Sequence, residues 1–150
     1  MIIYRLTQST FQEDLSGSGA ALYGGRWNNK GIPVLYTSSH ISLAVLEILV
    51  NHNRNESPLL PSFHLLELEL PENLQSRTKK LVLKDDWIRD IEYTRFIGDT
   101  FLKEGRDLIL PVPSVVIPEE HNYLLNPNHK QFKKIKIIQS KPYQPDKRLF

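Results

Sequence analysis

The chain has 150 residues, of which 40% are hydrophobic and 24% charged, with a formal net charge of +2 at pH 7 and no cysteine. These values are typical of one globular domain, which we assign to residues 1–150. The lack of cysteine excludes disulfides, thiolate nucleophiles and thiolate metal sites, and the small net charge does not favour nucleic acid as a direct partner. No apolar run approaches the ~20 residues of a membrane span and no secretory signal pattern begins the chain, so we expect a cytoplasmic protein that does not bind membranes.

Residues 1–61 predict two strands, one helix and a loop. Met1–Leu6 is rich in residues that favour strands, and Pro33–Thr37 is a short apolar strand. Between them, residues 10–30 are rich in Ser, Gly and Asn, which favours a long irregular segment. The apolar run that follows predicts a helix over His40–Asn51, and residues 53–61 then predict a polar loop.

The rest of the chain, from residue 62 onward, predicts another helix among several strands. The helix extends from Trp87 to Glu104 and ends at Gly105, because glycine favours the conformation found just past a helix end. The predicted strands are, in chain order, Ser62–Leu70, Lys80–Lys84, Asp107–Val112, Ser114–Ile117 and Phe132–Gln139. The passage His121–His129 is interpreted as turns. Strands and helices do not alternate strictly, so the fold class is α+β.

A glycine-rich stretch, YGGRWNNKG at residues 23–31, contains the first candidate for chemistry, Arg26. Glycines permit close approach of the backbone to a ligand, and the planar fork of arginine can hold two phosphate oxygens at once. The stretch matches neither G-x-G-x-x-G nor the P-loop pattern. A surface turn with a solvated arginine explains the same residues.

Glu47 lies in the apolar stretch SLAVLEILV. A buried carboxylate there requires either a compensating charge or hydrogen bond, or a functional role. On a helix its neighbours three and four positions away are Leu43, Ala44 and Val50, so the helix offers no cationic partner. A narrow exposed stripe shared with Asn51 is the alternative explanation.

Three further residues are weaker candidates when each is considered alone. Tyr36 lies near the end of a predicted strand, where functional sites often lie, but it can equally be a core tyrosine. Ser114 lacks the G-x-S-x-G context of an activated nucleophile, and Asn126 is by default a turn former. The five histidines show no metal-ligand spacing, so we expect no metal site.

Together these residues resemble the RES domain family. The resemblance rests on Arg26 in GGRWNNKG, Tyr36 in PVLYTS, Glu47 in SLAVLE, Ser114 in PVPSVVIP and Asn126 in NYLLNPNH, and it extends over essentially the whole chain. The family takes its name from Arg, Glu and Ser, and its members are toxins of bacterial type II toxin–antitoxin pairs, usually encoded beside an Xre-type antitoxin. Its fold is similar to that of ADP-ribosyltransferases, a split β core with flanking helices around a cleft that binds NAD.

The resemblance implies an enzyme that cleaves the nicotinamide–ribose bond of NAD+, as a glycohydrolase or a phosphorylase. It implies catalytic roles for Arg26, Tyr36, Glu47 and Ser114, and substrate binding by Arg26, Tyr36, Ser114 and Asn126. NAD+ is then the substrate and no resident cofactor is expected. The implied partner is an Xre-type antitoxin, through which alone the toxin would meet nucleic acid.

Two other functions stay open at this point. An ADP-ribosyltransferase that modifies a host protein would use the same residues, because the sequence does not specify whether water, phosphate or a protein attacks the ribose. A ribonuclease-type toxin or nucleic-acid-binding module would instead rely on the basic C-terminal strand. There Lys134 and Lys136 alternate with Ile135 and Ile137, a pattern that also protects an edge strand from association.

Overall fold

The computed structural model describes residues 1–52, 61–73 and 80–149. The loop predicted at residues 53–61 therefore lies, except for Pro61, outside the described residues. The strands are β1 (Ile2–Gln8), β2 (Leu35–Ser38), β3 (Phe63–Glu69), β4 (Ile109–Pro113), β5 (His121–Leu125) and β6 (Lys136–Tyr143). The helices are α1 (Ser18–Tyr23), α2 (Ile41–Asn51) and α3 (Ile91–Glu104).

The six strands form one antiparallel sheet in the order β4-β5-β2-β1-β3-β6. Strands β1 and β3 pair along their whole length, from Ile2 opposite Glu69 to Gln8 opposite Phe63. By contrast, β1 and β2 share a single register pair, Tyr4 opposite Ser38. The sheet is therefore two well-paired halves that separate between β1 and β2, in agreement with the split β core that the family resemblance implies.

Each half of the sheet is covered by a different helix on the same face. Helix α2 packs Ala44 and Val45 against Leu6, Phe63 and Leu65 of β1 and β3. Helix α3 packs Leu102 on the β4-β5-β2 half of the sheet. The other buried residues of this cluster are Trp27, Val34, Val112 and Leu124. Because the helices cover separate halves, the gap between β1 and β2 stays accessible between them. No helix within the described ranges is long and apolar enough to cross a bilayer.

Three local predictions before β4 need correction. A short helix, α1, lies within residues 10–30, where the composition favoured irregular structure. It begins after Gly17, whose φ of +74° and contact with the Val34 backbone suit glycine alone. Residues 80–84 form no strand. The helix predicted from Trp87 is a 3-10 turn, Trp87–Arg89, followed by α3, whose first turn is capped by the Asp90 carboxylate accepting from the Tyr93 amide.

After β4, the structure has turns where a strand was predicted and a strand where turns were predicted. Residues 114–117, predicted as a strand, form a turn, because the Ser114 hydroxyl accepts from the amides of Val116 and Ile117 at 3.0 and 3.1 Å. Residues 121–125, predicted as turns, form β5, a central strand between β4 and β2. This exchange places the start of β5 next to β2 and so completes the wall of the gap.

Candidate active site

A cavity of about 720 Å³ occupies the gap between β1 and β2, a volume within the range of small-molecule binding sites. Its wall is formed by β1, β2, α1, α2, the glycine-rich loop and the start of β5. Three of the five residues predicted to function lie on this wall, namely Arg26, Tyr36 and Glu47. The fold therefore brings together residues that are distant in the chain.

Glu47 projects from α2, and its Oε1 accepts two hydrogen bonds from the other side of the gap. The donors are the Ser114 hydroxyl at 2.8 Å and the Asn122 amide at 2.6 Å. Its Oε2 accepts no hydrogen bond from any residue that the structure describes. The carboxylate is thus fixed through one oxygen, and the other oxygen is available to a ligand in the cavity.

Ser114 supports Glu47 and does not itself line the cavity. Its side chain is fully buried, and its oxygen accepts from two backbone amides while its proton goes to Glu47. A serine so engaged has neither a free lone pair nor the exposure that a nucleophile needs. The structure therefore places Ser114 where it can act on a substrate only through the Glu47 carboxylate.

Tyr36 on β2 joins the cavity wall to the glycine-rich loop. Its hydroxyl donates to Asn28 Oδ1 at 2.7 Å and accepts from the Trp27 amide at 3.0 Å. Burial raises the pKa of the Tyr36 hydroxyl, and neighbouring groups change it less. The tyrosine therefore stays neutral and holds the loop, and a β-carbon on Gly25 would lie only 2.6 Å from its oxygen.

Arg26 lies on the same loop and is half-buried beside the Trp87 ring, 5.9 Å from the ring centroid. Its Nη2 donates to the carbonyl of Trp87 at 2.9 Å and also to the carbonyl of Ile88. Burial lowers the pKa of Arg26, as does the nearby Arg95, while Asp90 opposes them. Its Nε finds no hydrogen-bond acceptor among the residues described.

Sequence reasoning missed a second arginine in the cavity, Arg5 of β1. It bridges the gap by donating from Nη1 to the carbonyl of Tyr36 at 3.2 Å, and its Nε has no partner in the described part of the chain. Burial lowers the pKa of Arg5, and the carboxylate of Asp14 partly offsets this. The available signal was a cation inside the apolar strand IIYRLTQ, the same kind of signal that pointed to Glu47.

Asn126 is not brought to the cavity. Its amide nitrogen donates to the carbonyl of Leu102 at 3.1 Å, and its Oδ1 accepts from the backbone of Asn128 at 3.0 Å. The side chain joins the end of β5 to α3, so this geometry supports a structural role. Another asparagine, Asn122, lines the cavity instead. Within the described ranges, no group of three or more His, Asp or Glu residues is placed to hold a metal ion.

The charge pattern of the wall fits a ligand that carries both a diphosphate and sugar hydroxyls. Arg5 and Arg26 supply two cations, and the free oxygen of Glu47 supplies a hydrogen-bond acceptor. Aromatic rings at the rim, Phe11 and Tyr23, are 47% and 75% exposed and offer faces on which a base can stack. A dinucleotide combines these chemical groups.

Known proteins resemble this chain over nearly its whole length. The toxin Res of Photorhabdus laumondii is 40% identical, over 99% of this chain and 97% of that protein. The Prs ADP-ribosylating toxin of a Sphingobium strain is 35% identical, over 91% of this chain and 87% of its own.

Among solved structures, a chain of the M. tuberculosis MbcT–MbcA toxin–antitoxin complex superposes with a TM-score of 0.70 at 16% identity, over 95% of this chain and 84% of that chain. This likeness confirms the expected fold class, a single α+β domain. The model of the RES domain matches residues 2–146, nearly the whole sequence. The chain therefore belongs to the RES domain family.

Proposed function

We propose that the chain is the toxin of a bacterial toxin–antitoxin pair and that it cleaves the nicotinamide–ribose bond of NAD+. The family, the relative named toxin Res and the structural likeness to a chain of a toxin–antitoxin complex support the toxin role. The relative named as an ADP-ribosylating toxin supports chemistry on NAD+, since ADP-ribosyl transfer begins with cleavage of this bond.

The observation that carries the proposal is how the Glu47 carboxylate is held and where it lies. One oxygen is held by Ser114 and Asn122, and the carboxylate faces a cavity large enough for a dinucleotide. Breaking a glycosidic bond develops positive charge on the ribose, in an oxocarbenium-like transition state. A fixed carboxylate beside the ribose accepts a hydroxyl hydrogen bond and stabilises that charge, with no need to reorient during the reaction.

The two arginines supply the complementary charge for the diphosphate. Guanidinium groups bind phosphate oxygens through charge-assisted hydrogen bonds. Neither guanidinium group is fully satisfied by the residues that the structure describes, since the buried Nε–H of each has no acceptor there. An anionic ligand in the cavity would neutralise both positive charges. Arg26 can bind phosphate while keeping Nη2 on the Trp87 carbonyl, because its other nitrogens are separate donors.

The chemistry requires no general acid and no metal. Nicotinamide leaves as a neutral molecule, so its departure needs no proton. In this scheme Tyr36 stays neutral and fixes the loop that carries Arg26, Ser114 fixes Glu47, and NAD+ is the substrate. The protein contributes binding, orientation and electrostatic stabilisation, and no resident cofactor takes part.

The acceptor of the ADP-ribosyl group distinguishes two forms of the proposal. Water or phosphate gives a glycohydrolase or a phosphorylase, whereas a protein side chain gives an ADP-ribosyltransferase. The name of the Sphingobium relative favours the transferase as the second candidate. Both forms share the first step, so both depend on Glu47.

Product analysis separates these forms. The purified protein is incubated with NAD+ labelled in the adenosine half, in buffer alone, with phosphate, and with a lysate of the host as protein acceptor. We expect free nicotinamide in all three, accompanied by ADP-ribose or its phosphate in the first two. Label that enters protein only, with NAD+ stable in buffer and phosphate, would instead assign the transferase.

The partner in this proposal is an antitoxin protein, of the Xre type by family resemblance, which covers the cavity. The exposed rings of Phe11 and Tyr23 at the rim offer apolar area for such a partner. DNA would be contacted by the antitoxin and not by the toxin. The cytoplasm, where NAD+ and a repressor-type partner both occur, is the proposed location.

A further inference from the structure

Asn122 lines the cavity and is the second hydrogen-bond donor to the Glu47 carboxylate. It lies at the start of β5, directly opposite Ser38 of β2 in the sheet register. Its Nδ2 donates to Glu47 Oε1 at 2.6 Å, and its Oδ1 accepts from the Ser38 hydroxyl at 2.7 Å. The side chain thus connects the sheet to the carboxylate on α2.

The chemistry of the three groups fixes the direction of this chain of hydrogen bonds. An ionised carboxylate only accepts, so the NH2 side of the Asn122 amide must face Glu47. The carbonyl side then faces Ser38, whose hydroxyl must donate. Ser38 is itself buried, so the amide has a single favourable orientation, with its N–H directed at Glu47.

Without Asn122, Glu47 would keep one of its two donors. The remaining bond, from Ser114, holds Oε1 as a single pivot about which the carboxylate can turn. Two donors on one oxygen define both the position and the plane of the carboxylate, and so the direction of the free Oε2. A displacement of about 1 Å in a positioned group costs on the order of a hundredfold in rate.

We propose that Asn122, oriented by Ser38, is a positioning residue that directs the free oxygen of Glu47 at the substrate ribose. This inference rests on the proposed function, because it assigns a partner to Glu47 in that reaction. Asn122 acts through Glu47, so its loss should lower kcat and leave the affinity for NAD+ nearly unchanged.

Two substitutions separate positioning from packing. Asn122→Ala removes the donor and the volume, whereas Asn122→Asp keeps the volume and the Ser38 contact but cannot donate when ionised and places a second negative charge beside Glu47. We expect kcat to fall about tenfold to a hundredfold in Asn122→Ala and at least as far in Asn122→Asp. A packing role would make Asn122→Asp the milder change. Asn128→Ala, at an exposed asparagine outside the cavity, is the matched control.

A double-mutant cycle with Glu47→Gln gives the deciding measurement. Single-turnover rates are measured with enzyme in excess, and NAD+ affinity by calorimetry, for both single variants and the Asn122→Ala/Glu47→Gln pair. If Asn122 acts through the Glu47 charge, the pair should be no slower than Glu47→Gln alone.

Rates that multiply across the cycle, or an Asn122→Ala enzyme with wild-type kcat, would overturn the positioning role. Failure of the proposed function looks different, because the wild type itself would then release no nicotinamide from NAD+. A Glu47→Gln enzyme that cleaves NAD+ at the wild-type rate would instead remove Glu47, and Asn122 with it, from the reaction. Should Asn122→Ala fail to fold, Asn122→Asp, which preserves shape, decides the question through its kcat relative to wild type.

Discussion

At the scale of single residues, the carboxylate of Glu47 both accepts hydrogen bonds from other side chains and faces the cavity. Leaving water costs a carboxylate several kcal/mol unless hydrogen bonds compensate it, which is what Ser114 and Asn122 supply. Neither donor lies within α2, so both are distant in sequence. The helix pattern indicated the need for a partner but did not identify it.

Arg26 provides the first test at this scale. Arg26→Lys keeps the charge but loses the planar fork, and we expect kcat/KM to fall about tenfold to a hundredfold. Arg26→Ala should cost more, mainly as weaker NAD+ binding, and should also lower stability because the Trp87 and Ile88 carbonyls lose the hydrogen bonds from Arg26. Calorimetric titration with NAD+ and denaturant unfolding measure the two effects separately. Equal NAD+ affinity in all three proteins would remove Arg26 from the site.

Tyr36→Phe tests the attachment of the loop. The substitution leaves buried Asn28 Oδ1 and the Trp27 amide without the hydroxyl, so the free energy of unfolding should fall by about 1–3 kcal/mol. Urea unfolding with an unchanged m-value measures this loss. Tyr23→Phe, at an exposed tyrosine, should change stability by no more than ~0.5 kcal/mol. Similar small changes in both variants would contradict the role of the hydroxyl.

Because the pKa of the Tyr36 hydroxyl is raised, the stability that this residue contributes also depends on pH. Burial favours the neutral hydroxyl in the folded state, so the unfolded chain ionises at lower pH, near the ordinary value of ~10. The stabilisation is complete below that pH and is lost as pH rises above it. The stability difference between wild type and Tyr36→Phe should therefore shrink in strongly alkaline buffer. A difference independent of pH would show that Tyr36 is not the buried acid described here.

At the scale of elements, α3 holds the glycine-rich loop in place. Thr94 donates to the carbonyl of Arg26 and Arg95 to the carbonyl of Gly25, each at 2.8 Å. Gly98 allows the close approach, because a β-carbon there would lie 1.7 Å from the carbonyl oxygen of Trp27. The helix thus sets the position of Arg26 in the cavity.

Gly98→Ala should consequently damage both stability and substrate binding. The added methyl group forces α3 away from the loop, at a cost of about 1–3 kcal/mol for overpacking, and NAD+ affinity should fall with it. Thermal unfolding and calorimetric titration measure the two losses. Phe96→Ala, at a residue of α3 that is 70% exposed, serves as the control. Wild-type NAD+ affinity in a folded Gly98→Ala protein would show that α3 does not position the site.

Elements with strong local signals could be predicted from sequence, and those defined by distant contacts could not. The apolar run predicted both ends of α2 closely, and the glycine after α3 predicted the end of that helix, though not its start. Residues 121–125 contain no strong strand pattern and become β5 because β2 and β4 pair with both of its edges. The same distinction holds in the site. Arg26, Tyr36 and Glu47 stand out within their own segments, whereas Asn122 acquires its contacts only once β5 pairs with β2.

At the scale of the whole molecule, the divided sheet explains why a cavity exists between β1 and β2. Strands β1 and β2 share one register pair, and the cavity fills the space where they separate. Each half is stabilised by its own helix, so the gap needs no filling by side chains. The family membership now supports the resemblance inferred from five residues.

Expression of the chain alone should stop growth, and the cognate antitoxin should restore it. Loss of NAD+ deprives the cell of a central cofactor, and a partner over the cavity would prevent substrate entry. Growth curves with induction of toxin, antitoxin or both measure this, with Glu47→Gln as the inactive control. Normal growth at high levels of folded wild-type protein would contradict the toxin role.

The most direct test of the central claim is nicotinamide release from NAD+ by purified wild type and Glu47→Gln, compared side by side. The substitution keeps the shape of the side chain and removes the negative charge that the transition state requires. We expect the wild type to release nicotinamide and Glu47→Gln, equally folded, to do so about a hundredfold to a thousandfold more slowly. Equal rates would show that Glu47 is structural. A toxic, folded wild type that leaves NAD+ intact in buffer, with phosphate and with host lysate would contradict the proposed reaction and favour a ribonuclease-type toxin.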